Sequence, residues 1–247
     1  MYYIYYIICN DIIINKTLLN ISVYNNILFM ITAGRLIVSW LYSGFIIYAT
    51  DVFIKKINYN ARWFQLHAFI NYVISFLSYS DVVECLKQPS LSQVPYSIQT
   101  NMAMQLSILL HVYHCFMFEM RKEDWQHHIF GFITIPALMN WQMKGTALLL
   151  FFITGLPGAL DYTFISLYKN GVMHKYTVKH IYSYISAYLR LPGGTISSYL
   201  FLKDGISSDM ILYSPLILSL FTYLNSCFYG KQAIENFGGY KARALKL

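Results

Sequence analysis

Apolar runs separated by short polar stretches organise the chain. They cover residues 27–49, 63–79, 98–118, 125–141, 145–168, 178–202 and 210–229. Each is close to the roughly 20 apolar residues that a helix needs to cross a bilayer. Arg35 interrupts the first run, and Arg190 and Pro192 interrupt the sixth. The pattern predicts an all-α fold, a polytopic membrane helix bundle of about seven transmembrane helices. Residues 1–26 are apolar but short, and MYYIYYIIC lacks the basic start of a signal peptide. They read as an interfacial segment before a bundle spanning 27–230, with a basic cytosolic tail at 231–247. No internal repeat and no low-complexity linker divides the bundle.

Composition agrees. Charged residues are 12% of the chain and the mean hydropathy is +0.44. Soluble domains carry about 25% charged residues. Half that value excludes an ordinary cytosolic enzyme, a disordered tail and a nucleic-acid module. The four Cys (Cys9, Cys85, Cys115, Cys227) have no CxxC spacing and read as reduced or buried thiols.

The net charge of +7 is scattered between the apolar runs rather than gathered in a basic groove. Sorted by loop, Lys55, Lys56, Arg62, Arg121, Lys122, Lys169, Lys175, Lys179, Lys231, Lys241, Arg243 and Lys246 fall on one side. Lys16, Lys87, Lys144 and Lys203 fall on the other, twelve against four. Cytosolic loops carry the excess of Lys and Arg. The C-terminus is therefore expected in the cytosol. The terminal KARALKL is loosely like an ER-retrieval signal, or more simply a generic basic juxtamembrane tail; the expected location is the endoplasmic reticulum or a related internal membrane.

Ionisable groups within apolar runs are costly and mark function. His111 and His114 lie near the end of the third run, three apart and so on one helix face. His127 and His128 open the fourth, with Asp124 before them as a candidate helix cap and proton acceptor. Asp161 lies in the fifth, in GLPGALDY, where Gly155, Pro157 and Gly158 are expected to break the helix beside a polar cavity. At about 1.5 Å per residue, His114 lies roughly 7 Å inside Glu119, and Asp161 roughly 12 Å inside Lys169. This geometry lets the groups meet in one cavity in the cytosolic half; the alternative is that the His residues sit at the headgroup level and hydrogen-bond to lipid or backbone. Asp161 is alternatively a structural partner of Arg190 or Arg35. His67, His174 and His180 read as ordinary. Only HVYH and HH are close-spaced, and no HExxH, phosphate loop or Ser elbow is present, so no metal and no bound cofactor is expected.

Three segments carry a family resemblance: YHxxxF (Tyr113, His114, Phe118), DWxHH (Asp124, Trp125, His127, His128) and PGxxDY (Pro157, Gly158, Asp161, Tyr162), followed by RxPG (Arg190, Pro192, Gly193). Their order and spacing, over about a third of the chain, resemble the TLC family (TRAM, Lag and CLN homology), most closely the TLC-like proteins of algae and large viruses. The resemblance implies a helix bundle around a lipid-accessible cavity and, by the ceramide synthases, acyl transfer from acyl-CoA as co-substrate. His127 and His128 would be base and acyl carrier, with Asp161 and Asp124 orienting them. His111, His114, Tyr113 and Arg190 would contact substrate. A single Asp161 stands where ceramide synthases carry an HDxxD-type segment. Other family members act in lipid sensing or cargo export, so a non-catalytic protein that binds lipid or membrane-protein cargo is the alternative. The expected partners are membrane lipids, not nucleic acid. LLHVYHC also resembles the LHVYHH box of fatty-acid elongases, with Cys115 at the position of a His.

Overall fold

The computed structural model describes residue 34 and residues 37–57, 60–120, 122–207 and 213–244. Side chains are described for these, excepting 122–124, 126, 127, 130, 213 and 244. The interfacial segment expected at 1–26, Arg35 and the extreme C-terminus lie outside the described residues.

Among these residues the fold is all-α, with seven helices and no strand. They are α1 (Ile37–Ile57), α2 (Arg62–Lys87), α3 (Ile98–Met117), α4 (Lys122–Asn140), α5 (Gly145–Lys169), α6 (175–207) and α7 (Tyr213–Ala244). Each falls on one of the seven apolar runs. The helices α1, α2 and α5 are long and apolar enough to cross a membrane by length and composition. These are features of a membrane protein. The chain divides into two units, residues 1–42 and residues 43–247, and the second holds the helix bundle.

Local chemistry sets the boundaries. Ser97 caps α3: its hydroxyl accepts from Thr100 N–H at 3.2 Å. Ser97 N–H and Oγ both donate to Asp81 Oδ2 at 2.8 Å, which ties the cap to α2. Gln88 N–H makes the last bond of α2, to Glu84 O, and Pro89 after it has no N–H to continue the ladder. The helix break expected at Gly155–Gly158 is instead a widened turn. Residues Leu150–Gly155 are π-helical and α5 runs on through Leu156-Pro157-Gly158. The proline cannot donate to the carbonyl four residues back, and a wider turn accommodates the loss. The same happens in α6, where π-helical Ser186–Arg190 precedes Leu191-Pro192-Gly193. α7 continues to Ala244, so the basic residues after 230 extend a helix.

Contacts sort the turns onto two ends, as antiparallel succession requires. At one end Val94 and Lys144 share a backbone hydrogen bond, Gln93 Nε2 donates to Asp204, and Lys144 pairs with Glu84. Glu84 holds the Lys144 ammonium above the usual lysine range. At the other end Arg62 lies over the Phe118 ring and Lys169 over Phe64. There Lys175 also bonds Tyr240, and His180 stacks on Phe237 at 4.6 Å. Lys87, Lys144 and Lys203 thus belong to one end, and Arg62, Lys169, Lys175 and Arg243 to the other.

The interior is filled between α2, α5 and α6 by Val82, Cys85, Ala147, Leu148 and Leu200, with Phe151 and Phe152 against them. Outward, Phe76 and Phe116 are 82% and 83% exposed, among many exposed Ile, Leu and Tyr. So much exposed apolar surface fits a protein that sits in a membrane.

Candidate functional site

Four imidazoles from three helices meet where α2, α3 and α4 approach. His114 of α3 and His128 of α4, each 2% exposed, face each other with His128 Nε2 and His114 Nδ1 2.8 Å apart. One of these nitrogens must carry the proton they share, so the two tautomers are linked. The ring of His111 lies 5.1 Å from that of His128, and the ring of His67 lies 5.2 Å from that of His114.

The outer two rings are fixed by backbone carbonyls one turn back. His111 Nδ1–H donates to Ser107 O at 2.7 Å. His67 Nδ1–H donates to Trp63 O at 2.9 Å, and its Nε2 accepts from the Trp63 indole at 3.2 Å. A carbonyl only accepts, so in both neutral rings Nε2 holds the lone pair. Trp63 also lies 4.7 Å from His114, and Tyr162 lies 5.0 Å from His67. Among the described residues no three His, Cys, Asp or Glu are placed to hold a metal ion.

His111 also forms part of the wall of a cavity of about 480 Å³ between α3, α4, the π-helical turn of α5 and α7. Leu138 and Thr222 lie inside it, 6% and 2% exposed. Leu224 and Phe228 stand at its rim, 50% and 59% exposed. Ile129 and Ile133 of α4 and Leu220 of α7 are exposed as well. The cavity therefore opens sideways, onto the apolar outer face of the bundle.

Of the residues singled out in the sequence, His111, His114 and His128 come together. Asp161 does not join them: it accepts from Arg190 Nη2 at 2.7 Å, with both side chains buried. Tyr182 hydrogen-bonds the same guanidinium. This pair links the helix after one π-helical turn to the last residue of the other. Tyr162, next in the chain, is the residue of this segment that meets the imidazole cluster, through His67 and Trp63. Tyr113 points elsewhere as well. Its hydroxyl donates to Asp51 Oδ2 at 2.6 Å, and the Asp51 carboxylate takes Nε and Nη2 of Arg62. His127 and Asp124 belong to α4, but their side chains are not among those described.

Reading the sequence missed His67, Trp63, Asp51 and Arg62. A signal existed for two of them: Trp63 and His67 are four apart, on one helix face beside a polar loop. Asp51, a carboxylate 2% exposed just past the first apolar run, needed a cationic partner, and Arg62 was the nearest beyond the turn. No protein-family model, no curated protein and no solved structure matches this chain.

Proposed function

We propose that the chain is a lipid-acting membrane protein of the TLC type that transfers an acyl group from a long-chain acyl-CoA to a lipid nucleophile. The observation that carries this reading is the buried His114–His128 pair next to a cavity open to the bilayer. An imidazole hydrogen-bonded to a second imidazole can take a proton and pass its own onward, the requirement for a general base away from water. As the lipid oxygen or nitrogen attacks the thioester carbonyl, its proton moves to the imidazole. The C–S bond then breaks, and the leaving CoA sulfur recovers the proton. The products are the acylated lipid and free CoA thiol. His127, one residue along α4, is proposed to position the thioester for that attack, with Asp124 its orienting group. Asp161 acts at one remove by holding Arg190. The cations Lys169, Lys175, Lys179 and Arg243, gathered at one end of the bundle, would attract the CoA phosphates. That end is the proposed cytosolic face, in the endoplasmic reticulum or a related membrane.

Purified protein in lipid vesicles supplied with radiolabelled acyl-CoA tests this directly. Lipid-linked label should appear with wild type and fall about 100-fold or more in His128→Ala and His114→Ala. The double variant should be no worse than either single one, since the pair acts as a unit. No acyl-CoA-dependent labelling, or equal labelling by the variants, would overturn the proposal.

A second reading, binding of lipid or membrane-protein cargo without turnover, is favoured by one feature. Much of the polar interior is satisfied internally: His67 by Trp63, Asp161 by Arg190 and Asp51 by Arg62 and Tyr113. That reading predicts altered lipid binding in the His variants with no acyl transfer by wild type.

A further inference from the structure

Cations gather where the start of α6 meets the end of α7. Lys175, the first residue of α6, bonds the Tyr240 hydroxyl, and its ammonium lies 5.5 Å from the centre of the Tyr240 ring. The Arg243 guanidinium lies over the same ring at 4.8 Å. The Lys175 bond, with the charges of Lys175, Arg243 and Lys179, holds the Tyr240 phenol below the usual tyrosine range. Three cations thus act on one side chain. Ring contacts hold them there. Phe237, three residues before Tyr240, stacks on His180 at 4.6 Å and meets Tyr176 at 5.6 Å. These contacts clamp the last turns of α7 against the first turns of α6. Both segments are poor in acid: 162–203 and 236–247 contain no Asp or Glu. Glu235, the one acid after residue 230, pairs with Lys231 at 3.3 Å.

We infer that Lys175, Lys179, Tyr240 and Arg243 bind the phosphate of a phospholipid with net negative charge, in the leaflet at that end of the bundle. The site is separate from the His114–His128 pair and holds whether or not acyl transfer occurs. On the acyl-transfer reading these cations also draw CoA by long-range attraction, and competition tells the two uses apart. Phosphate oxygens can accept from the ammonium groups and from the Arg243 fork. They can also accept from Tyr240 O–H, since the Lys175 bond engages only the oxygen of that group. Depth favours a lipid over a soluble phosphate. α7 carries exposed apolar side chains as far as Phe228 and Ile234. At about 1.5 Å per residue, Tyr240 lies roughly 9 Å beyond Ile234 along the helix. A phospholipid therefore brings its phosphate within reach of this cluster while its acyl chains lie along the exposed face of α7. The aromatic ring of Tyr176, exposed beside the cluster, suits the same headgroup level. A zwitterionic headgroup carries its own cation into the positive field and gains less from it.

The test uses the full chain in detergent micelles with equal amounts of dioleoyl phosphatidylglycerol and dioleoyl phosphatidylcholine. Bound lipid is counted by native mass spectrometry. The phosphatidylglycerol adduct should exceed the phosphatidylcholine adduct about tenfold. Lys175→Gln combined with Arg243→Gln should bring it down to the phosphatidylcholine level. Lys56→Gln combined with Lys231→Gln removes the same charge elsewhere and should leave it near wild type. Tyr240→Phe, which keeps the ring and loses the hydroxyl, should weaken it about threefold. Inorganic phosphate or free CoA in large excess should not displace the lipid, because neither has acyl chains to seat on α7. Equal adducts of the two lipids would overturn the inference. So would an unchanged adduct in the Lys175/Arg243 variant, or an equal loss in the Lys56/Lys231 variant. Displacement by CoA would assign these cations to CoA instead. The acyl-transfer proposal fails separately: His128→Ala leaves every residue of the cluster in place and should keep the phosphatidylglycerol adduct even where turnover is lost.

Discussion

The buried pair Asp161–Arg190 offers a measurement whose size follows from the geometry. The carboxylate and guanidinium are 5% and 7% exposed and 2.7 Å apart. At a charge separation of about 4 Å and an effective dielectric of about 20, their attraction is about 4 kcal/mol. Removing one partner forfeits that attraction and leaves the other charge in a site with few alternatives, so Arg190→Met should cost about 3–5 kcal/mol. Asp161→Asn keeps an acceptor for the guanidinium but loses the charge, and should cost about 2 kcal/mol. Replacing both, as in Asp161→Leu with Arg190→Met, removes the uncompensated charge and should recover to within about 1–2 kcal/mol of wild type. For a chain of this size each kcal/mol moves the melting temperature by about 2–4 °C. Arg190→Met should therefore melt about 6–20 °C lower in detergent micelles. The double variant should melt well above that single one. Equal melting of wild type and Arg190→Met, or a double variant as poor as the summed single losses, would refute the assignment of Asp161 to a structural pair. It would return Asp161 to the role of a partner that orients the histidines.

Further expectations come from the close packing and caps. Gly194→Ala would set a methyl on Ser226 Oγ, 2.8 Å from Ser226 Cβ and 3.0 Å from Ile153 Cδ1. This should cost about 1–3 kcal/mol, and Ser226→Gly in the same chain should recover most of it in a melting experiment. Asp81→Ala removes the acceptor of both Ser97 bonds and should lower stability by about 1–3 kcal/mol. Hydrogen exchange in that variant should rise first at the start of α3. Tyr113→Phe removes one of three hydrogen bonds to Asp51 and should cost about 1 kcal/mol. Arg62→Met, which strips Asp51 of its cation, should cost several times more in the same assay.

The helices were legible because a spanning helix announces itself by the length of its apolar run. The start of α3 falls where its apolar run begins, at Ile98. The two π-helical turns were half legible. Pro157 and Pro192 marked trouble in the hydrogen-bond ladder, but not that the helix would widen and continue. Each lies in the same Leu-Pro-Gly, a recurrence that reading for long repeats passes over. The convergence of His111, His114 and His128 was legible from helical spacing and from the shared end of α3 and α4. His67 was not, because its place depends on how α2 rotates against α3, which no pattern within α2 encodes. The cavity was invisible for the same reason: its wall is assembled from one face each of α3, α4, α5 and α7. Asp161 was rightly marked as costly, but its choice of Arg190 rests on packing of α5 against α6.

The most direct test of the account is whether His114 and His128 share a proton. With both imidazoles labelled with nitrogen-15 in the full chain in bilayers, solid-state nitrogen–nitrogen correlation should give a cross-peak between His114 Nδ1 and His128 Nε2. The cross-peak should vanish in His114→Phe, with the remaining His128 signals shifted. Two imidazoles that show no such correlation and titrate independently of each other would contradict the shared proton and the acyl-transfer chemistry built upon it.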